Sequence, residues 1–307
     1  MTKSHYDVLI IGSGPAGLSA SIYLSRQNIS NAFIESTLPG GKIGQTEKVE
    51  NYPGIEKISG FELATNFLNH AKSYGAKMIF GKVVNFSKTK DNLIEVNLEN
   101  GDKYFSQALI IATGMKSLVP EEIINIHTFN HRGVSYCAVC DGSLYKNEVC
   151  GIIGGGNSAF EEGAFLANVA KEVHIFVRDK IIAEKTIQNQ LLEHKNVTIH
   201  KPSQIKKLIG KDKLEEIEFE ENCKLKHMKM AALFPYIGFK PSTDFISQKE
   251  ILDPRGFIKV NENMETTIEN VYAAGDVIQK QIRQIVTAAN DGTIAAKTIT
   301  NKIISKY

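Results

Sequence analysis

Three largely apolar runs stand out along the chain, and each is followed at once by glycine. Tyr6-Asp7-Val8-Leu9-Ile10-Ile11 leads into Gly12-Ser13-Gly14-Pro15-Ala16-Gly17, and Val149-Cys150-Gly151-Ile152-Ile153 leads into Gly154-Gly155-Gly156-Asn157-Ser158-Ala159. The third, Ala108-Leu109-Ile110-Ile111-Ala112-Thr113, ends at Gly114. Apolar runs without alternation predict strands covered on both faces, as in a parallel sheet. After the first two loops the pattern turns helical, over residues 18–27 with Ala20, Tyr23 and Leu24 in phase, and over residues 158–169. Second strands follow at Asn31-Ala32-Phe33-Ile34 and Glu172-Val173-His174-Ile175-Phe176. Residues 61–74 predict an amphipathic helix with Phe61, Ala64, Phe67, Leu68 and Ala71 on one face. Alternating segments at 78–84, 93–98 and 103–105, the last two joined by Glu99-Asn100-Gly101-Asp102, predict a small antiparallel meander. Near the C-terminus, a strand over residues 270–274 ends in Gly275-Asp276, and a helix is expected over 284–299 with Ile285, Ala288, Ala289, Gly292 and Ala296 on one face. Strands alternating with helices predict an α/β fold.

The two glycine loops have one physical logic. Glycine permits the tight turn, lets main chain approach a pyrophosphate, and lets helix and strand pack closely, while the helix N-terminus offers unpaired N–H groups to the phosphates. In the first loop these roles fall to Gly12, Gly14 and Gly17, with Pro15 and Ala16 opening the helix. Glu35 closes the second strand, placed about 20 residues on to accept ribose hydroxyls; the plainer reading is a solvated strand-end acid. In the second loop Gly154, Gly155, Gly156, Asn157 and Ser158 are followed by Ala159 where a third glycine could stand. Both loops are read as nucleotide-binding. Asp276 could accept a cofactor hydroxyl or simply cap its loop.

A chain of 307 residues predicts two domains, or one domain and an insertion. A net charge of +2 gives no electrostatic case for nucleic acid or an anionic membrane. No apolar run reaches the ~20 residues of a membrane span. The N-terminus runs through Met1 and Lys3 into the first strand without a signal-like block. The expectation is a cytoplasmic protein with no membrane or nucleic-acid partner.

There are four cysteines, too few for a disulfide scaffold of this length. Cys150 and Cys223 stand alone and are expected to be inert. Cys137 and Cys140, in Tyr136-Cys137-Ala138-Val139-Cys140-Asp141-Gly142, have the spacing of a dithiol/disulfide pair. A redox pair beside two nucleotide loops suggests electrons passing from one nucleotide through a second to sulfur. The rival reading is zinc, with His127 and His131 as further ligands. That order is reversed from common fingers, the gap is tight, and a metal would end the thiols' redox use. No metal is expected.

Taken together, these motifs resemble the low-molecular-weight bacterial-type thioredoxin reductases almost end to end. The resemblance rests on the first glycine loop, Gly40-Gly41, Val49-Glu50-Asn51-Tyr52-Pro53-Gly54, Ala112-Thr113-Gly114, Cys137-Ala138-Val139-Cys140-Asp141-Gly142, the second glycine loop, and Ala273-Ala274-Gly275-Asp276 with Arg283-Gln284. It implies two Rossmann-like dinucleotide-binding domains, the second inserted in the first. An FAD domain would comprise residues 1–115 and 243–307, and a nicotinamide-nucleotide domain carrying the cysteine pair would comprise 116–242. The FAD residues implied are Gly12, Gly14, Pro15, Ala16, Gly17, Glu35, Gly40, Gly41, Lys42, Asn51, Ala112, Thr113, Gly114, Gly275, Asp276, Arg283, Gln284 and Ile285. Residues 154–159 and Arg178 would hold the nucleotide. Cys140 would exchange electrons with the flavin, Cys137 would attack a thioredoxin disulfide, and Asp141 would move the thiol proton, unless it is only a turn residue before Gly142. A homodimer with a swinging small domain is also implied.

The second strand departs from the family pattern. NADPH enzymes of this type follow it with His-Arg-Arg and a further Arg, whereas here the residues are Phe176, Val177, Arg178 and Ile182, with Lys180 and Lys185 nearby. Only Arg178 remains of that set. NADPH is kept ahead of NADH, and a donor such as ferredoxin comes third. A dithiol oxidase using oxygen, or a flavin-binding redox sensor without turnover, are the alternative functions.

Overall fold

The computed structural model describes residues 4–46 and 48–304; Met1 and Lys3, expected to lead directly into the first strand, lie outside them. The first part of the chain forms β1 (Ser4–Ile11), α1 (Pro15–Ser25), β2 (Asn31–Glu35), α2 (Gly60–Ser73), β3 (Lys77–Phe80), β4 (Val83–Lys88), β5 (Ile94–Leu98) and β6 (Lys103–Ile111). A crossing strand β7 (Met115–Ser117) precedes α3 (Ala138–Asp141), β8 (Val149–Ile153), α4 (Asn157–Ala167), β9 (Glu172–Phe176), α5 (Lys185–Leu192) and β10 (Val197–His200). Next come β11 (Ser203–Ile209), β12 (Glu216–Glu221), β13 (Lys224–Lys229), β14 (Ala232–Pro235), β15 (Phe239–Pro241), β16 (Val271–Ala273) and α6 (Ile285–Ile304).

Two compact units result, one built from the chain up to Lys116 and from Lys240 onward, the other from Ser117–Phe239. The two crossings, β7 and β15, pair as a two-stranded ribbon. In the first unit β3, β2, β1 and β6 run parallel, and β5 and β4 continue the sheet antiparallel. One edge of β6 serves two partners, β5 along its first half and β16 along its second. Val8, Leu9, Ile10, Leu109 and Ile110 are fully buried, each stabilising the fold by roughly 1.5–3 kcal/mol.

Two local differences from the sequence expectation have a common cause. Residues 78–84 divide at Gly81, so that β3 joins β2 in parallel while β4 begins the meander. A Cβ at Gly81 would meet Leu98 Cδ1 at 2.6 Å, and its N–H donates to the Glu35 carbonyl at 2.8 Å, so the chain turns there. Residues 103–105 and 108–111 are one strand, β6, whose surroundings change from half-exposed to buried as its partner changes. Hydrophobic alternation reports environment, and here the environment changes within one strand.

The second unit has a four-stranded parallel sheet, in the order β10-β9-β8-β14, and a three-stranded antiparallel sheet, β11-β12-β13. Cores form around Ile152, Phe160 and Ile175, and around Val134, Leu208 and Phe219. Among the described residues no helix is long and apolar enough to cross a membrane.

In the first unit α1 and α6 pack against each other through small residues. A Cβ on Gly292 would stand 2.0 Å from the Ala16 carbonyl oxygen, and one on Gly17 would stand 2.0 Å from that of Gly12. Gly292→Ala is therefore expected to destabilise the first unit by about 1–3 kcal/mol through overpacking, read as a lower denaturation midpoint; an unchanged midpoint would remove this account of the α1–α6 contact.

Candidate active site

In the first unit the predicted residues converge on one backbone cradle. Gly12 has φ +101°, and a Cβ there would fall 2.4 Å from the Ala112 carbonyl oxygen and 3.2 Å from Thr113 Cα. The Gly40 N–H donates to the Ser13 carbonyl at 2.9 Å, and Gly41 lies against Gly14. The Ala274 N–H donates to Ile111, and Thr113 Oγ1 to the Ser242 carbonyl at 2.8 Å, which ties the exit of β6 to the returning chain. Gly14 leads into α1 with open space before its Cα.

Glu35 is buried rather than solvated. One carboxylate oxygen accepts the Ser13 N–H and hydroxyl, at 3.1 and 2.7 Å, and the other accepts from Ser36 and Thr37. At the far end, Asp276 Oδ1 is buried and has no hydrogen-bond partner among the described residues. Burial pushes the Asp276 carboxyl upward against the pull of Lys280, Lys42 and Arg283. Burial likewise lowers Lys42 to about 8, with Asp276 opposing. Arg283 donates to the carbonyls of Asp276 and Ile278 and lies over Phe257, so it fixes this turn. Asn51 donates to Gln284 at 3.1 Å, and Ile285 packs on the cluster around Ile43.

Asp291 was not found by sequence reasoning. Its Oδ2 accepts the Gly275 N–H at 3.1 Å and Lys280 Nζ at 2.6 Å, fixing the Gly275-Asp276 turn from the middle of α6. It sits in a helical stretch whose spacing signals only packing.

In the second unit the glycine loop borders a cavity of about 540 Å3. Gly154 has φ +147° and lies against the Tyr236 carbonyl, where a Cβ would be 2.4 Å away. The Gly155 carbonyl accepts the N–H groups of Ile182 and Ala183, at 2.7 and 3.0 Å. Asn157 and Glu184 bond reciprocally at 2.9 Å, and the Ala159 methyl is buried in the core. Ser158 and Arg178 line the cavity too.

Cys137 and Cys140 are joined as a disulfide with a Cα separation of 5.3 Å. Cys137 caps α3, and its Sγ accepts the Cys140 N–H at 3.1 Å. The buried Ser135 hydroxyl donates to Asp141 Oδ2 at 2.6 Å and accepts the Cys137 N–H at 3.2 Å. Two further residues hold the turn. The Tyr236 hydroxyl accepts the Ala138 N–H at 2.8 Å, and Glu162 in α4 accepts the Val139 N–H at 3.2 Å. Tyr236 also bonds Glu162, and burial followed by that carboxylate raises the phenol's pKa, keeping it neutral. Ser135, two positions before Cys137, had a faint sequence signal; Glu162 and Tyr236 had none.

His127 Nε2 lies 2.6 Å from Glu121, and among the described residues no group of three or more His, Cys, Asp or Glu is placed to hold a metal ion. Of the remaining thiols, Cys150 is buried and pushed up to about 12, chiefly by burial and then by Glu148, while Cys223 is exposed at the tip of the β12–β13 hairpin. A thiol reagent is therefore expected to modify Cys223 alone in the native oxidised protein, with Cys150 reacting only after denaturation. Fast native labelling of a Cys223→Ser variant would contradict this.

The sequence profile of the pyridine nucleotide-disulphide oxidoreductases matches residues 6–292. The chain is 48% identical over 299 residues to a thioredoxin reductase of Mycoplasmopsis pulmonis, covering 97% of each chain. It is 40% identical over 301 residues to one from Mycoplasma pneumoniae, covering 96% of this chain and 94% of the relative. The crystal structure of Lactococcus lactis thioredoxin reductase superimposes with a TM-score of 0.89 at 33% identity, covering 98% of this chain and 99% of that one. The disulfide turn and glycine-loop cradles thus belong to a chain that is a member of the pyridine nucleotide-disulphide oxidoreductases, and among them of the low-molecular-weight thioredoxin reductases.

Proposed function

We propose that the chain is a thioredoxin-disulfide reductase in which a nicotinamide nucleotide binds the second unit, FAD binds the first, and Cys137–Cys140 delivers electrons to thioredoxin. The observation that carries this reading is the built environment of the disulfide, with its sulfur on an N–H and its neighbouring carboxylate on a serine hydroxyl. The first unit fits FAD in two respects. Gly14 leaves open backbone where a pyrophosphate would lie, and Asp276 holds a buried oxygen without a donor, suited to a cofactor hydroxyl. When bound, FAD supplies the two-electron relay between nicotinamide and sulfur.

The chain's own groups then do the sulfur chemistry. In the reduced dithiol, the Cys137 thiolate attacks one sulfur of the thioredoxin disulfide. A mixed disulfide forms, and the second thioredoxin sulfur leaves as thiolate and receives the Cys140 thiol proton through Asp141, which leaves Cys140 as thiolate. The Cys140 thiolate next attacks Cys137 Sγ, which restores the intramolecular disulfide and releases the other thioredoxin sulfur. Ser135 keeps Asp141 aimed at this exchange. Glu162 and Tyr236 fix the turn against recoil.

Anaerobic turnover with oxidised thioredoxin should yield two thiols per nicotinamide nucleotide oxidised. Cys140→Ser should cut thioredoxin reduction by at least ~10³-fold while its bound flavin remains reducible by nucleotide. Ser135→Ala should lower turnover by about tenfold to a hundredfold with little change in nucleotide KM. Oxygen uptake driven by dithiols, with no flavin reduction by either nucleotide, would instead establish the oxidase. Gly14→Ala has room for its methyl and an ordinary φ of −73°, so the flavin-free protein should unfold within about 0.5 kcal/mol of the parent. Its FAD affinity should nevertheless fall at least ~10-fold, measured by equilibrium titration, because the methyl occupies the pyrophosphate's approach.

A further inference from the structure

The two glycine loops can be compared residue by residue, because their strands pair in the same register. Ile11 pairs with Ile34 in β1–β2, and Ile153 pairs with Phe176 in β8–β9. The first glycine of each loop donates to the corresponding carbonyl, Gly12 to Ile34 at 2.8 Å and Gly154 to Phe176 at 3.1 Å. The position equivalent to Glu35 is therefore Val177, an apolar residue that is 2% exposed. In the second unit no acid stands where a ribose diol is ordinarily gripped at the strand end.

Immediately beyond lie Arg178 and Asp179, and they bond each other, Nε to Oδ2 at 3.2 Å, with both side chains more than 70% exposed. A 2′-phosphate is selected by fixed cations and a free 2′-hydroxyl by a carboxylate. Here one residue of each kind stands on the rim, and each is partly neutralised by the other. The charged residues lining the whole cavity are balanced likewise, Arg178 and Lys180 against Glu122 and Asp179. Ile182, exposed and 4.0 Å from where a Gly156 Cβ would lie, adds an apolar lip instead of a third cation.

We infer that this pocket does not discriminate on the 2′-phosphate and that the enzyme takes NADH and NADPH alike, with the Arg178–Asp179 pair as the ambivalent element. The inference rests on the pocket being the nicotinamide-nucleotide site of the proposed reductase. Removing one partner should unmask the other, so Asp179→Ala favours the phosphorylated nucleotide and Arg178→Ala the unphosphorylated one. Because both side chains are largely in solvent, neither substitution threatens the fold.

The test uses the oxidised, flavin-loaded protein and two redox-inert probes, ADP-ribose and 2′-phospho-ADP-ribose, with dissociation constants measured by calorimetry. The parent should bind the two within about tenfold of each other. Asp179→Ala should move the ratio about tenfold toward the phosphorylated probe, and Arg178→Ala about tenfold the other way. A parent preference above about a hundredfold in either direction, or a ratio that neither variant moves, overturns the inference. Anaerobic bleaching of the flavin by each reduced nucleotide separates the two levels of failure. If both nucleotides bleach it and one is strongly preferred, only this inference falls. If neither probe binds and neither nucleotide bleaches it, the reductase reading falls with it.

Discussion

At Gly12, Gly17 and Gly292 in one unit, and at Gly154 and Gly155 in the other, main chain lies where a methyl group would otherwise have to be. These approaches bring a strand end, a helix start and a loop from elsewhere in the chain to within backbone contact. The N-termini of α1 and α4 have no side-chain hydrogen bond at the cap, which is a local condition for binding a phosphate. The side chains around each cradle can do specific work because the backbone beneath them has so little freedom. Asp276 can keep a donor-less oxygen buried since Gly275, Asp291 and Arg283 hold its turn from three sides.

In the second unit this rigidity extends to sulfur. Helix α4 begins beside Gly156, and its Glu162 carboxylate receives an N–H from the turn between the two cysteines. The Tyr236 hydroxyl completes the grip and comes from the segment whose carbonyl abuts Gly154. Glycine loop and disulfide are therefore both held by α4 and by the segment that follows β14. The Asp141 carboxylate is held separately, by the Ser135 hydroxyl.

Much of this was legible in the sequence because it is written locally. A buried strand, a glycine triplet and a helix are contiguous, so β1 with α1 and β8 with α4 could be read from spacing alone. Cys137 and Cys140 are legible for the same reason. What could not be read depends on contacts between distant segments. Tyr236 meets Ala138 across 98 positions and Glu162 meets Val139 across 23, and neither pair leaves a periodic trace. Asp291 looked like any polar residue on a helix until Gly275 and Lys280 were found against it. The division at Gly81 was missed because alternation describes which side of a strand is covered and says nothing about its partner.

The cradle of the first unit is assembled from the two ends of the chain, with the second unit's continuous segment between them. Synthesis from the N-terminus consequently delivers every residue of the second unit, the disulfide pair included, before β16, Asp276 and α6 exist. Until then α1 at Ala16 lacks the helix that packs against it, and β6 lacks one neighbour. The turn that carries Cys137 and Cys140 is thus synthesised ahead of the Gly275-Asp276 turn and α6, which complete the first unit's cradle.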